Sequence, residues 1–283
     1  MASKSGWAAF PHDAKGFAYA GDALKKAWPK LHAGDCEPFP DAKRAAALLK
    51  AAGKAAPKLD ADALAEALQD AWRAFHRGDF KAAFDAGEKL GAVGASVAVK
   101  ALGIHATYLV DDEAEQLKRY EHAAMLAEAA IKALPDDANS HYRHAFALGR
   151  YSQGLSIAKA LKMGIAGKVR VSLDATLQRE PKHAEAHTAL ALYHAEIINK
   201  IGAMIGGLTY GAKASEAEKH IKEAVKLTPA SPIAHIEHAN VLLLLDENRN
   251  EDAAAAAFEK AAKCKPLDAM EALDAAHARD QLE

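Results

Sequence analysis

Four prolines set the rhythm of this sequence. Pro135, Pro181, Pro229 and Pro266 each stand 12 positions after a small apolar residue: Ala123, Val169, Ala217 and Ala254. Ten positions after each of the first three prolines comes another small residue, Ala145, Ala191 or Ala239. From residue 60 onward nearly every stretch spaces its apolar residues three and four apart, the interval that lines one face of an α-helix. Small residues at fixed places let two helices cross closely, and a proline ends the second helix and sets the turn into the next. The recurrence predicts stacked helix pairs, one supersecondary unit repeated along the chain.

An earlier unit fits without its proline, since Ala71 and Ala83 are 12 apart across the turn Arg77-Gly78-Asp79-Phe80. Gly103 and Ala123 mark another. Five units are expected from about residue 64 to 266, followed by a helix over about 267–281 that caps the open end with a polar face. Two units are over-long, with gaps of 24 between Ala145 and Val169 and 26 between Ala191 and Ala217. The extra segments, LGRYSQGLSIAKALKMGIAGK and YHAEIINKIGAMIGGLTYGAK, are apolar and contain glycine. They must bury against something, so they should lengthen helices or add short ones across the array. They are the candidates for a specific site.

The spacing of small residues and prolines resembles the tetratricopeptide repeat. The stretches HYRHAFALGRYSQG, EPKHAEAHTALALYHAEI, IGAMIGGLTYGA and PASPIAHIEHANVLLLL narrow the likeness. They resemble bacterial tetratricopeptide proteins related to the accessory component of TRAP-type solute transporters, and the regulator-of-microtubule-dynamics group of eukaryotes. The resemblance implies an all-α fold: a right-handed α-solenoid of about five helix pairs with two long insertions and a capping helix. It implies a partner or ligand role, mostly non-enzymatic. It also implies a concave groove lined by the first helix of each pair, at Asn139, Tyr142, Phe146, Glu185, Thr188, Leu192, Ile236 and Asn240. That surface lacks the Lys/Arg clamp that grips acidic peptide tails. A protein or peptide segment is the expected occupant. A small ligand enclosed by the insertions is the alternative, and assembly into a homodimer is a third reading.

Residues 1–58 fall outside the repeat and read as an N-terminal helical cap on the repeat region, 59–283. Helical stretches near 14–28 and 41–53 flank an irregular loop bracketed by Trp28-Pro29 and Pro38-Phe39-Pro40. Trp7, Phe10, Phe17, Tyr19 and Trp28 are expected to cover the first repeat. Cys36 beside His32 and Asp35 invites a nucleophile reading, but sequence proximity is not catalytic geometry and no oxyanion donor is evident. No constellation has assignable catalytic roles, so no enzyme activity is expected.

Composition sets the outer limits. Among 283 residues, 36 basic against 38 acidic leave a net charge of -2, without the basic excess of a chain built to bind nucleic acid. Two cysteines in no CxxC spacing exclude a thiolate zinc site and give no disulfide framework. No signal-like leader and no run of about 18 uncharged apolar residues is evident, so the reading is cytoplasmic with no membrane span. His141, His187 and His235 fall at equivalent places of successive units, with His144 and His238 three positions further on. An HxxH pair shares a helical face, but equivalent positions in adjacent repeats lie about 10 Å apart. Packed histidines are therefore expected, with no metal or other cofactor. Met163–Lys168 lacks the Ser/Thr and the spacing of a phosphate loop. Lys159, Lys162, Lys168 and Arg170 read as a solvated face.

Overall fold

The computed structural model describes residues 6–283, and among them the chain forms fourteen α-helices and no strand. Helices α1 (Ala23–Leu31) and α2 (Ala42–Ala52) come first. Then follow α3 (Ala61–Arg77), α4 (Phe80–Lys89), α5 (Ala95–Leu109), α6 (Glu113–Ala133) and α7 (Ala138–Gln153). Short α8 (Ile157–Lys162) precedes α9 (Ile165–Arg179), and short α11 (Ala203–Tyr210) lies between α10 (Ala184–Ile201) and α12 (Ala214–Leu227). The chain ends with α13 (Pro232–Lys263), broken at non-helical Asp246, and α14 (Ala269–Asp280).

Helix starts follow from local chemistry. Asp41, Asp60, Asp112, Asp137, Ser156 and Asp268 each accept a backbone N–H of the first turn that follows, filling a donor the helix itself leaves free. At the C-terminus of α3, Gly78 adopts φ +89° and turns the chain into α4. Pro29 departs from expectation: α1 runs through it to Leu31, with the His32 N–H bonding the Trp28 carbonyl at 2.9 Å. The proline sits in the last turn, where few hydrogen bonds remain to be lost.

Consecutive helices pack pairwise: α3 on α4, α5 on α6, α7 on α9, α10 on α12, and the two halves of α13 on each other. Each pair rests on the next through α4–α5, α6–α7, α9–α10 and α12–α13. The recurring small residues Ala71, Ala83, Ala123, Ala145, Val169, Ala191, Ala217, Ala239 and Ala254 are all buried. Gly103 carries the closest crossing of α5 and α7, for a Cβ there would stand 2.3 Å from the Phe146 ring. The spaced histidines tie down the turns. His141, His187 and His235 each place Nε2 on the carbonyl of the proline six residues earlier, Pro135, Pro181 and Pro229, at 2.8, 3.0 and 2.8 Å.

One expectation needs correction. The C-terminal helix does more than cap an open end. It packs on both α13 and α3, and Ala269, Met270 and Leu273 share one core with Trp72, Phe75 and Trp28. Burial of three apolar residues along α14, with the buried Asp268–His76 contact at 2.8 Å, draws it back across the array. Gly91–Leu109, which carries Lys100, is long and apolar enough, by length and composition, to cross a membrane. Here it is the core helix α5, apolar on every side because helices surround it. The aromatic residues of the N-terminal segment do pack on the first pairs, Trp7 against Phe84 and Trp28 edge-on to Trp72.

Gly94 tests the packing of α4 on α5. Its φ of -99° suits any residue, yet a Cβ would lie 2.2 Å from the Gly87 carbonyl oxygen. Gly94→Ala should therefore destabilise the fold by about 1–3 kcal/mol through overpacking. Gly149→Ala on α7, where a Cβ meets nothing, should stabilise it by up to about 1 kcal/mol through helix propensity. Urea midpoints of the two variants measure this, and equal midpoints would contradict the close approach.

Candidate ligand cavity

A single lysine in the apolar run Val97-Ala98-Val99-Lys100-Ala101-Leu102 must find an acid once the helix is buried. Lys100 finds Asp35 at 2.6 Å and Glu185 at 3.3 Å. Arg143 of α7 reaches the same Asp35 oxygen at 2.6 Å, and His32 Nδ1 lies 2.8 Å from the other. Burial would push the Asp35 carboxyl up, but Lys100, His32 and Arg143 outweigh it and hold it well below the usual carboxylate range. Burial drives His32 down to about 4 against the pull of Asp35, leaving the imidazole neutral.

The loop after α1 is thereby fastened across three helices. Asn139 on α7 donates to the Asp35 carbonyl at 2.9 Å and accepts from His183 Nε2 at 3.1 Å, while His183 Nδ1 accepts the Ala186 N–H and so caps α10. The Glu185 N–H donates to the Gly34 carbonyl at 2.9 Å. Cys36, which follows Asp35, points its thiol toward the Lys182 carbonyl, and burial together with Glu180 pushes that thiol up to about 12. That is the reverse of an activated nucleophile.

Beside this network lies a cavity of about 220 Å³. Its buried end is formed by Lys100, Ile104, Tyr142, Arg143, Met270 and Asp274. Its outer end is formed by the two insertions: Leu155, Ile157, Leu161, Ile165 and Ala166 from the first, and Tyr193, Ile197, Ile201 and Tyr210 from the second. Five of the eight residues expected in the groove line it, namely Tyr142, Phe146, Glu185, Thr188 and Leu192. The other three do not. Asn139 is covered by the loop after α1, Ile236 is packed between the halves of α13, and Asn240 is bonded to Glu237 at 2.7 Å.

Sequence reasoning missed several polar residues of the wall. Arg150 meets Glu237 at 3.2 Å, and Tyr108 donates to Asp274 from α5, 166 residues away. Asp274 is 1% exposed, and its Oδ2 has no hydrogen-bond partner. Lys100 was missed as well, although a lone lysine in the apolar run 97–102 is a signal that could have found it. The charged cluster around the first insertion stays outside, where Arg170 pairs with Asp174 at 2.9 Å. His144 bonds Ser172 at 2.8 Å and the His187 and His220 imidazoles meet at 2.8 Å, so these histidines are used in packing. The sequence matches no protein-family model and no curated protein.

Three carboxyl groups near this site hold their protons unusually well. Burial, reinforced by Asp137 and Asp35, pushes Glu37 up to about 7, burial raises Asp274 to about 7, and burial with Asp268 raises Glu271 to about 8. In an unfolded chain all three titrate near about 4, so between there and their folded values the native state binds more protons and stability falls as pH rises. Above about pH 7.5 buried neutral histidines such as His32 and His183 carry almost no proton in either state and drop out. The unfolding free energy should thus decline from about pH 7.5 to 8.5, chiefly as Glu271 and the remaining protonated Asp274 and Glu37 lose their protons, by about 1.4 kcal/mol per pH unit for each proton by which the native state exceeds the unfolded one. Urea melts across that range measure it, and Asp274→Asn should make the decline shallower. A flat or rising midpoint would contradict the protonated carboxyls.

Proposed function

We propose that this chain is a non-enzymatic binding protein, a tetratricopeptide-type α-solenoid whose groove, roofed by its two insertions, holds a small amphipathic ligand. The observation that carries the reading is the shared cavity: five residues of the expected groove and both insertions line one space. At about 220 Å³ it lies just below the ~300–1,000 Å³ usual for drug-sized ligands, which suits a compact molecule. The wall is mostly apolar, with Lys100, Arg143, Glu185 and Asp274 at the buried end and Gln153, Glu196 and Lys200 on the insertions, and a few placed polar groups in an apolar wall fix a ligand's orientation. The helix pairs, with small residues at each buried crossing, support the solenoid assignment.

Gly149 offers a clean test, because it lines the cavity and a Cβ there meets nothing. Gly149→Phe should fill the space without disturbing the backbone. Wild type should enhance the fluorescence of the apolar probe N-phenyl-1-naphthylamine, and the variant should bind it at least about tenfold more weakly, a loss of about 1.4 kcal/mol. Circular dichroism checks that the fold is kept. Equal binding by both proteins, or no binding by wild type, would overturn the reading.

One observation favours a second reading, in which a protein segment docks beside the cavity. On α11, Met204 and Leu208 are 79% and 85% exposed, and Ile157 and Leu161 at the cavity's outer end are about half exposed. Clustered apolar surface of this kind marks interaction sites. Under that reading, a pull-down from native lysate should enrich a protein that the double variant Met204→Ser, Leu208→Ser fails to retain. Retention by both forms would remove it.

A further inference from the structure

The charges around the cavity form a ledger that does not balance. Each cation on its wall already holds an acid: Lys100 and Arg143 share Asp35 and Glu185, Arg150 holds Glu237, and Lys200 holds Glu196 at 3.3 Å. Asp274 is the exception among the acids. Its Oδ1 accepts the Tyr108 hydroxyl, while its Oδ2 has no partner. Among the described residues only three buried side-chain polar atoms are left this way, and the other two, Nε2 of His32 and of His76, lie in the tryptophan-lined core. Asp274 is the one on the cavity wall.

A buried acceptor without a donor costs free energy that a suitable ligand recovers on binding. The surroundings decide which ligand. Acids face Asp274 from several elements: Glu185 on α10, Glu237 on α13, Asp268 before α14 and Glu271 on α14 itself. Tyr108 and Lys100 on α5 and Arg150 on α7 complete the neighbourhood, with His277 packed on the Tyr108 ring. Every cation in that set is engaged by a carboxylate. An anionic head would enter a field of acids with no free counter-charge, whereas an ammonium supplies both the missing donor and the missing charge.

We infer that the cavity selects an amphiphile with an alkylammonium head, its N–H groups donating to the free oxygen of Asp274 and its apolar chain lying toward Phe146 and the two insertions. This rests on the ligand-binding reading above and names the class of ligand. The head displaces the proton that Asp274 otherwise shares with its surroundings, so binding is linked to pH. Below about pH 7 the ammonium must compete with that proton, and affinity falls.

Three probes of equal chain length separate the head from the body: octylammonium chloride, 1-octanol and sodium octanoate, each titrated calorimetrically at pH 7.5. Octylammonium should bind wild type at least about tenfold tighter than 1-octanol, with octanoate weakest. Asp274→Asn keeps the side-chain size and should erase that preference while leaving 1-octanol binding in place. If the variant does not fold, wild type alone decides. Its affinity for octylammonium should drop about tenfold from pH 8 to pH 6, while that for 1-octanol stays level. Octanoate or 1-octanol binding as tightly as octylammonium, a variant that keeps the preference, or a pH-independent octylammonium affinity would overturn the ammonium assignment and leave the cavity reading standing. Failure of all three probes to bind would sink both.

Discussion

The buried carboxylate of Asp35 is the joint on which the arrangement turns. Lys100, Arg143 and His32 converge on its two oxygens from α5, α7 and the end of α1. Taking Asp35, Lys100 and Arg143 out of water costs several kcal/mol each, and the cost is recovered only when every charge meets its partner in good geometry, with the neutral His32 filling the remaining carboxylate oxygen. Such a network tolerates one arrangement. It places the loop after α1 against α7 and α10, occupies Asn139 and His183 in doing so, and decides how much of the groove is left open. Loss of one member would strand the others, which makes the network a specifier of structure more than a source of stability.

What remains of the groove divides its work between two sources. The packed helix pairs supply the buried end, where polar groups from five helices meet within one small volume. The insertions supply the outer end, where aliphatic and aromatic side chains predominate beside Gln153, Glu196 and Lys200. Neither set makes a site alone. The long gaps after Ala145 and Ala191 are what lengthen α7 and α10 and add α8 and α11 at the same side of the array.

Local features were the legible ones. The proline cadence located the paired helices, and the small residues at its fixed places are buried where the helices cross. The apolar character of the insertions pointed to burial, and both do line the cavity. Tyr142, Phe146, Glu185, Thr188 and Leu192 were named through the resemblance to the tetratricopeptide repeat, which assigns the groove to the first helix of each pair. The roles of Asn139 and Asp274 were not legible, because they depend on segments 104 and 166 residues away, the loop after α1 and Tyr108 of α5. Periodicity within a helix carries no record of such a partner. It also could not show α14 returning to α3, since the pattern that buries Met270 and Leu273 is the same whichever neighbour covers them.

That return changes the topology of the molecule. The Tyr19 hydroxyl bonds the Leu267 carbonyl at 2.5 Å, so the chain's two ends are stitched together 248 residues apart. An open array of repeats can fray from either terminus and fold outward from any nucleus, because each unit answers only to its neighbours. Here the first pair and the C-terminal helix α14 share a core, and one cannot loosen without exposing the other. The array behaves as a closed loop with no free end, and cooperativity extends around the whole chain. Closure brings a kinetic cost, for the contacts that complete the core are among the longest in the sequence and form against the largest loss of chain entropy.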